Sequence, residues 1–135
     1  TDIFSRKIVG AHIGDSLEAE GCLRALDQAL SELPEGLRPI HHSDRGCQYC
    51  CHEYVERLQA RGMPISMTEI MHCYENALAE RVNGILKQEY ELDRTFRTKQ
   101  QARDAFRQAV HLYNHRRPHG KLNYRFPAQV HAQAA

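Results

Sequence analysis

Two carboxylates, Asp44 and Glu80, are the residues of this sequence whose types and spacing could do chemistry together, with 35 residues between them. Carboxylate oxygens are the hard ligands that Mg²⁺ and Mn²⁺ prefer. Each residue alone has an ordinary explanation, because Asp44 opens an Asp-Arg-Gly turn and Glu80 lies in a helical stretch where most glutamates are simply solvated. Their sequence context therefore decides whether they form a site.

The segments around these residues carry a resemblance to known proteins. Residues 42–49 (HSDRGCQY), 74–89 (YENALAERVNGILKQE) and 113–122 (YNHRRPHGKL) with Pro127 resemble the second-carboxylate, third-carboxylate and C-terminal signatures of integrase-like insertion-sequence transposases. The interval between Asp44 and Glu80 is the one that gives this family its D,D-35-E label. The likeness spans essentially the whole chain, since residues 2–10 (DIFSRKIVG) resemble the second strand of the same core.

The resemblance implies a DDE transposase, a polynucleotidyl transferase that cleaves DNA strands and transfers them during transposition. In such a core, three carboxylates hold two Mg²⁺ or Mn²⁺ ions, which stabilise the attacking and leaving oxygens at a phosphodiester. Water cuts the strand, and the freed 3′-hydroxyl then attacks target DNA. Asp44 and Glu80 match the second and third carboxylates, so we expect both to be catalytic and metal-binding.

The first carboxylate of this triad has no counterpart here, because Asp2, 42 residues before Asp44, matches a non-catalytic position. In the family, the first catalytic Asp lies on the strand before that segment. We therefore expect this chain to hold two of the three carboxylates, to lack the first strand, and to be inactive as it stands. The alternative is a catalytically inactive DNA-binding or assembly fragment of such a transposase.

The net charge of +1 hides an imbalance along the chain. Residues 1–80 hold 7 Lys and Arg against 13 Asp and Glu, whereas residues 81–135 hold 11 against 4, which gives −6 and +7. A basic half favours a polyanionic partner, although a solvated helical surface explains it as well. With the resemblance, the expected partners are transposon-end DNA, target DNA, further copies of the chain in a homo-oligomer, and a separate helix-turn-helix region or protein that reads the ends.

The predicted helix around Glu80 has two faces. At about 3.6 residues per turn, a polar stripe holds Asn76, Glu80, Asn83 and Lys87, and an apolar stripe holds Leu78, Val82 and Ile85. The polar stripe is expected to face DNA while the apolar stripe packs on the sheet, and Lys87 is placed to bind a phosphate. The DNA-binding residues that we predict are Asn76, Asn83, Lys87, Arg81, Arg116 and Arg117.

The remaining pattern alternates strands and helices. Apolar and β-branched runs predict strands at 6–13, 39–43 and 63–67, with 2–4 as the end of an earlier strand; helical periodicity predicts helices at 16–33, 50–61, 75 to beyond 87, and 98–116. This order indicates an α/β protein, and the resemblance makes it a ribonuclease H-like mixed sheet flanked by helices, with the first strand missing. We expect a partial catalytic core at 1–117 and a C-terminal tail at 118–135.

Five cysteines leave a second kind of metal site open. Cys47-x-x-Cys50 followed by His52, with His72-Cys73 further along, has a spacing that permits a small zinc-binding module. A second well-spaced ligand pair is lacking, however. Small buried thiols in a reducing compartment are therefore the preferred interpretation.

Composition places few limits on the fold. Hydrophobic residues make up 41% and charged residues 26%, close to the average for a globular domain, and no apolar run is long enough to cross a bilayer. Nothing in the sequence resembles a secretion signal. The protein is therefore expected to be cytoplasmic, with no membrane partner.

Overall fold

The computed structural model describes residues 1–16, 18–67 and 77–133. They form two compact units, one of Thr1–Val9 with Leu78–Ala135 and the other of Gly10–Ala77. The elements in chain order are α1 (Ala19–Ser31), β1 (His41–Ser43), α2 (Cys47–Cys50), α3 (His52–Ala60), β2 (Ile65–Met67), α4 (Ala77–Gln88), α5 (Lys99–His115), a 3-10 helix (Gly120–Leu122) and α6 (Pro127–Ala132). No helix in the described part of the chain is long and apolar enough to cross a membrane.

The core of the Gly10–Ala77 unit combines side chains of α1 and α3. Leu23 and Leu26 of α1 are buried in one cluster with Tyr54 and Leu58 of α3. Spacings of three and four residues put each pair on one helix face, which is why the apolar pattern predicts both helices. Burial of each large apolar side chain contributes about 1.5–3 kcal/mol to folding.

β1 and β2 form a two-stranded parallel sheet in the same unit. His41 pairs with Ile65, and the register continues to Ser43 beside Met67. Parallel strands need a crossover connection, and here α2 and α3 lie between them in the chain. The carboxyl ends of both strands therefore lie at one edge of the sheet. Asp44 follows β1 directly, as the sequence predicts.

Helix α1 is shorter at both ends than the predicted 16–33. The predicted N-cap, Ser16, accepts a hydrogen bond from the backbone N–H of Glu18 ahead of the helix (3.4 Å), and regular turns begin only at Ala19. The helix ends before Leu33, because a residue that precedes proline is disfavoured in the helical conformation.

The helix predicted at 50–61 is interrupted at Cys51, whose backbone is extended between α2 and α3. The thiol of Cys51 donates to the carbonyl of Gln48 (3.1 Å). In a continuous helix that carbonyl would accept from the backbone N–H of His52 instead. The predicted end of the helix is confirmed, since Gly62 follows α3 with a φ of +63°.

Residues 6–13 do not form the predicted strand, because side-chain amides take backbone groups that a neighbouring strand would otherwise pair with. Asn114 accepts from the backbone N–H of Ile8 (2.9 Å) and donates to the Ile8 carbonyl (3.0 Å). Gln28 accepts from the backbone N–H of Ala11 (3.0 Å). The residue types of this segment thus favour a strand, but its backbone is hydrogen-bonded to side chains of helices and not to a neighbouring strand.

The strand end predicted at 2–4 is also wrong, since the chain turns there. The Asp2 carboxylate accepts from the backbone N–H groups of Phe4 (3.3 Å) and Ser5 (2.9 Å) and from the Ser5 hydroxyl. Burial acts to raise the pKa of Asp2, but these hydrogen bonds hold it below its ordinary value. His131 of α6 completes the cluster, with Nδ1 3.1 Å from Ser5 Oγ.

The unit of Thr1–Val9 with Leu78–Ala135 has a helical core. Its buried apolar residues are Ile8, Val82, Ile85, Leu86, Ala109, Tyr113, Leu122 and Val130. The helix predicted at 98–116 is confirmed as α5, whose N-cap Thr98 accepts from the backbone N–H of Gln101 (3.1 Å), and α6 packs on α5. Residues 118–133 thus contain the 3-10 helix and α6, and the boundary predicted at residue 117 stays a prediction.

The described residues combine helices with a small parallel sheet, which is consistent with the predicted α/β class. Such a sheet is shared by many α/β folds. The finer expectation, a ribonuclease H-like mixed sheet with its first strand missing, therefore stays a prediction.

Candidate metal and DNA-binding site

Asp44 lies directly after β1, and its side chain is exposed. Its Oδ1 accepts a hydrogen bond from the backbone N–H of Gly46 (2.9 Å), in the turn that leads into α2. A Cβ atom at position 46 would lie 2.9 Å from that same oxygen, so a side chain there would force a shift. The Asp-Arg-Gly turn thus orients the candidate metal ligand.

The histidines of β1 fasten the strand that ends at Asp44. His42 Nδ1 lies 3.0 Å from Ser66 Oγ on β2, and His41 Nε2 lies 3.0 Å from the Tyr54 hydroxyl on α3. Burial lowers the pKa of His41, which favours a neutral ring edge-on to Tyr54. β1 is therefore held to β2 and α3 by side-chain contacts, in addition to its backbone hydrogen bonds with β2.

Glu80 lies in the first turn of α4, and its side chain is exposed. Asn83 and Lys87 are exposed as well, whereas Val82 and Ile85 are each 4% exposed. The prediction of a helix with a polar face and an apolar face is confirmed for these residues. The polar face is the one that a nucleic acid or a metal ion can reach.

The arginines predicted to bind DNA have different surroundings. Arg81 and Arg116 are exposed. The Arg117 side chain is 19% exposed and donates two hydrogen bonds of 2.7 Å to the carboxylate of Glu89. Asn76, which is also predicted to bind DNA, lies outside the described residues. All these DNA contacts stay predictions.

Glu89 and Arg117 shift the pKa of one another. The hydrogen bonds from Arg117 lower the pKa of Glu89, and the same bonds raise the pKa of Arg117. Sequence reasoning missed this pair because the partners are 28 positions apart, beyond any spacing rule within one helix. The available signal was that Glu89 closes the signature around Glu80 while Arg117 belongs to the C-terminal signature.

Asp44 and Glu80 supply hard oxygen donors at exposed positions, which suits Mg²⁺, an ion that keeps several of its waters. They belong to different compact units, so their approach to a shared ion stays a prediction. Within residues 1–16, 18–67 and 77–133, no group of three His, Cys, Asp or Glu side chains is placed to hold a metal ion.

The described cysteines are free thiols; they are Cys22, Cys47, Cys50 and Cys51. The expected burial is wrong for them, because Cys22 and Cys51 are only partly buried and the other two are exposed. Burial raises the pKa of the Cys22 thiol, which lies in the core cluster of α1 and α3. Cys47 and Cys50 are exposed at the two ends of α2. His72 and Cys73, the other residues of the zinc interpretation, lie outside the described residues.

The chain is thus an α/β protein in which an exposed aspartate follows a parallel strand and an exposed glutamate lies on a helix with a polar and an apolar face. Two sequence profiles match the chain, and both describe an integrase core domain. One covers residues 1–73 and the other residues 61–127, so together they span nearly all of the chain.

Insertion-sequence proteins are similar to the chain over most of its length. The transposase for insertion sequence element IS629 of Shigella sonnei is 34% identical over 96% of this chain and 43% of that protein. An uncharacterized transposase-like protein of Haemophilus influenzae is 33% identical over 98% of this chain and 61% of its own length. A putative transposase for IS986/IS6110 of Mycobacterium tuberculosis is 33% identical over 87% and 44%, respectively. The chain belongs to the integrase core family of insertion-sequence transposases, and it spans about half the length of these relatives.

Proposed function

We propose that this chain forms part of the catalytic core of a DDE transposase, which cuts DNA strands and joins them to target DNA, and that Asp44 and Glu80 are two of the three carboxylates that bind its metal ions. The observation that supports this role is the placement of the two carboxylates in an integrase core chain. Asp44 is exposed at the carboxyl end of β1, and Glu80 is exposed on the polar face of α4. A ribonuclease H-like sheet is the architecture that this role requires.

Mg²⁺ or Mn²⁺ is the proposed cofactor, and two such ions, when bound, stabilise the attacking and leaving oxygens of a phosphodiester. Asp44 and Glu80 would supply two of the three carboxylates that hold the ions, and the turn at Gly46 orients the Asp44 carboxylate. Asn83 and Lys87 bind the DNA backbone along the exposed face of α4. Lys87 lies seven residues from Glu80, about 10 Å along the helix axis, so it reaches a phosphate next to the reacting one.

The proposed partners are transposon-end DNA and target DNA, a second copy of the chain in a homo-oligomer, and a helix-turn-helix region or protein that reads the ends. The excess of basic residues after position 80 supports binding to phosphates. Arg81 and Arg116, which are both exposed, are proposed to bind phosphates as well.

Strand transfer on a pre-cut transposon end tests the catalytic role. Because the chain spans about half the length of its relatives, the matched segment of the IS629 transposase is replaced by this chain, and joining is measured with Mg²⁺ or Mn²⁺. Asp44→Asn and Glu80→Gln are each expected to lower the rate by at least about a hundredfold, since loss of transition-state charge stabilisation of about 2.7 kcal/mol has that effect. The exposed Asp93→Asn is the matched control and is expected to keep full activity.

The double variant distinguishes a shared site from two separate effects. Residues that act as one unit are not additive, so Asp44→Asn with Glu80→Gln should be no slower than the slower single variant. Rates that multiply, or a single variant that keeps the activity of Asp93→Asn, contradict the proposal.

A further inference from the structure

The C-terminal ends of α4 and α5 are connected by the ion pair between Glu89 and Arg117. Glu89 follows α4 by one residue, and its backbone N–H donates to the carbonyl of Ile85 (2.8 Å), so its position follows that of the helix. Arg117 follows α5 by two residues, and its backbone N–H donates to the carbonyl of Leu112 (3.0 Å). A contact between the two side chains therefore fixes one helix end relative to the other.

The guanidinium of Arg117 is engaged on two sides. Nε and Nη2 donate to the Glu89 carboxylate, and Nη1 donates to Nε2 of His119 (3.3 Å). His119 lies edge-on to the buried ring of Tyr113, with 5.1 Å between centroids. Burial and then the charge of Arg117 lower the pKa of His119, so the neutral ring accepts this bond. Glu89 and His119 thus occupy three of the five N–H donors of Arg117, and the negative charge of Glu89 repels a phosphate that approaches the guanidinium.

The ion pair is placed to set the rotation of α4 about its axis. A twist at the C-terminal end of a helix turns its whole exposed face by the same angle, and Lys87 lies only two residues before Glu89. We propose that Arg117, acting through Glu89, is a positioning residue that holds the exposed stripe of α4 towards DNA and does not itself bind a phosphate. This inference rests on the proposed function, because it takes that stripe as the DNA-facing surface.

The test measures the affinity of this chain for duplex DNA by fluorescence anisotropy. Removing Glu89 deletes a negative charge from the basic part of the chain, and electrostatics alone would then strengthen DNA binding. The positioning role predicts the opposite. Glu89→Ala is expected to weaken binding about threefold or more, as Arg117→Ala does, and the double variant is expected to bind no more weakly than Arg117→Ala. The matched control, Asp93→Ala, removes the same charge from an exposed position and should leave binding unchanged or stronger.

A second measurement separates positioning from a general loss of stability. Each phosphate contact contributes about 0.9 to the slope of log affinity against log salt. Lys87→Ala is expected to lower this slope by about 0.9 in the unsubstituted chain, but by much less when Glu89 is already Ala. Arg117→Lys keeps the positive charge and loses the two-bond fork, so the contribution of Lys87 should shrink in that background too. Thermal unfolding establishes that each variant is folded at the assay temperature.

The outcomes are distinct. Stronger binding by Glu89→Ala, as for Asp93→Ala, or a full contribution of Lys87 in its background, overturns the positioning role. If Glu89→Ala unfolds below the assay temperature, the Arg117→Lys variant replaces it in the salt-slope measurement. A Lys87→Ala substitution that lowers the slope by the full amount in the Arg117→Lys background also overturns the positioning role. Failure of the unsubstituted chain to bind duplex DNA at low salt is a different result, because it overturns the proposed function itself.

Discussion

At the scale of single residues, the position of Asp44 depends on the absence of a side chain at Gly46. An added Cβ would lie 2.9 Å from Asp44 Oδ1, closer than real Cβ contacts, and the atom that can move is the end of the carboxylate. Gly46→Ala is therefore expected to displace the carboxylate and leave the fold intact. With Asp44 as a metal ligand, Mn²⁺ affinity measured by calorimetry should fall about threefold to tenfold, which corresponds to about 0.7–1.4 kcal/mol.

Gly84→Ala in α4 is the matched control for this substitution. A Cβ at position 84 meets no atom within 4 Å outside its own helix, and alanine has the higher helix propensity. The free energy of unfolding should rise by about 0.5–1 kcal/mol, while Mn²⁺ affinity stays the same. Equal Mn²⁺ affinity in Gly46→Ala and the unsubstituted chain would remove Asp44 from the ligands.

At the scale of elements, Asn114 takes the place of a neighbouring strand for the segment that contains Ile8. Its side chain is buried and bonds both the N–H and the carbonyl of Ile8. Asn114→Ala leaves these buried backbone groups without partners, so the free energy of unfolding is expected to fall by about 2–4 kcal/mol. Denaturant unfolding measures this change. Gln108→Ala, at an exposed position of α5, is expected to change it by less than about 0.5 kcal/mol, and similar values for both variants would contradict the role of Asn114.

Elements that are fixed by interactions between residues close in sequence are the ones that the sequence predicts correctly. Thr98 caps α5 through a residue three positions away, and Gly62 ends α3 with its own positive φ. Both signals are local, and both predictions are confirmed. The segment 6–13 has β-branched composition, but its fate is decided by Asn114, 106 positions from Ile8. Composition cannot report a partner that only the tertiary fold supplies.

The same distinction applies to the candidate site. The place of Asp44 after a strand and the exposed side of Glu80 follow from patterns of a few residues, and the structure confirms them. The ion pair of Glu89 with Arg117 depends on how α4 and α5 approach one another. The motif predicts that Arg117 binds DNA, but a sequence motif does not show that Glu89 is its partner. Because of this ion pair, we propose a positioning role for Arg117 instead.

At the scale of the whole chain, the two compact units carry opposite charge. Gly10–Ala77 holds 5 Lys and Arg against 11 Asp and Glu, a net charge of −6, whereas Thr1–Val9 with Leu78–Ala135 holds 13 against 6, a net charge of +7. The basic unit attracts DNA phosphates, and the acidic unit, which carries Asp44, repels them. With DNA as the proposed partner, its affinity for the chain would therefore reflect the opposed charges of the two units.

A divalent ion held by Asp44 and Glu80, as proposed above, would shift this balance, because it would neutralise the two carboxylates that repel the DNA strand. For a protein that binds DNA only through Lys and Arg side chains, Mg²⁺ weakens binding, because the ion competes with these side chains for the phosphates. Here, Mg²⁺ at constant ionic strength is expected to strengthen duplex binding in anisotropy titrations. Asp44→Asn combined with Glu80→Gln should bind DNA more tightly than the unsubstituted chain without metal, and should be weakened by Mg²⁺. If Mg²⁺ weakens both proteins equally, the two carboxylates do not share an ion at the DNA surface.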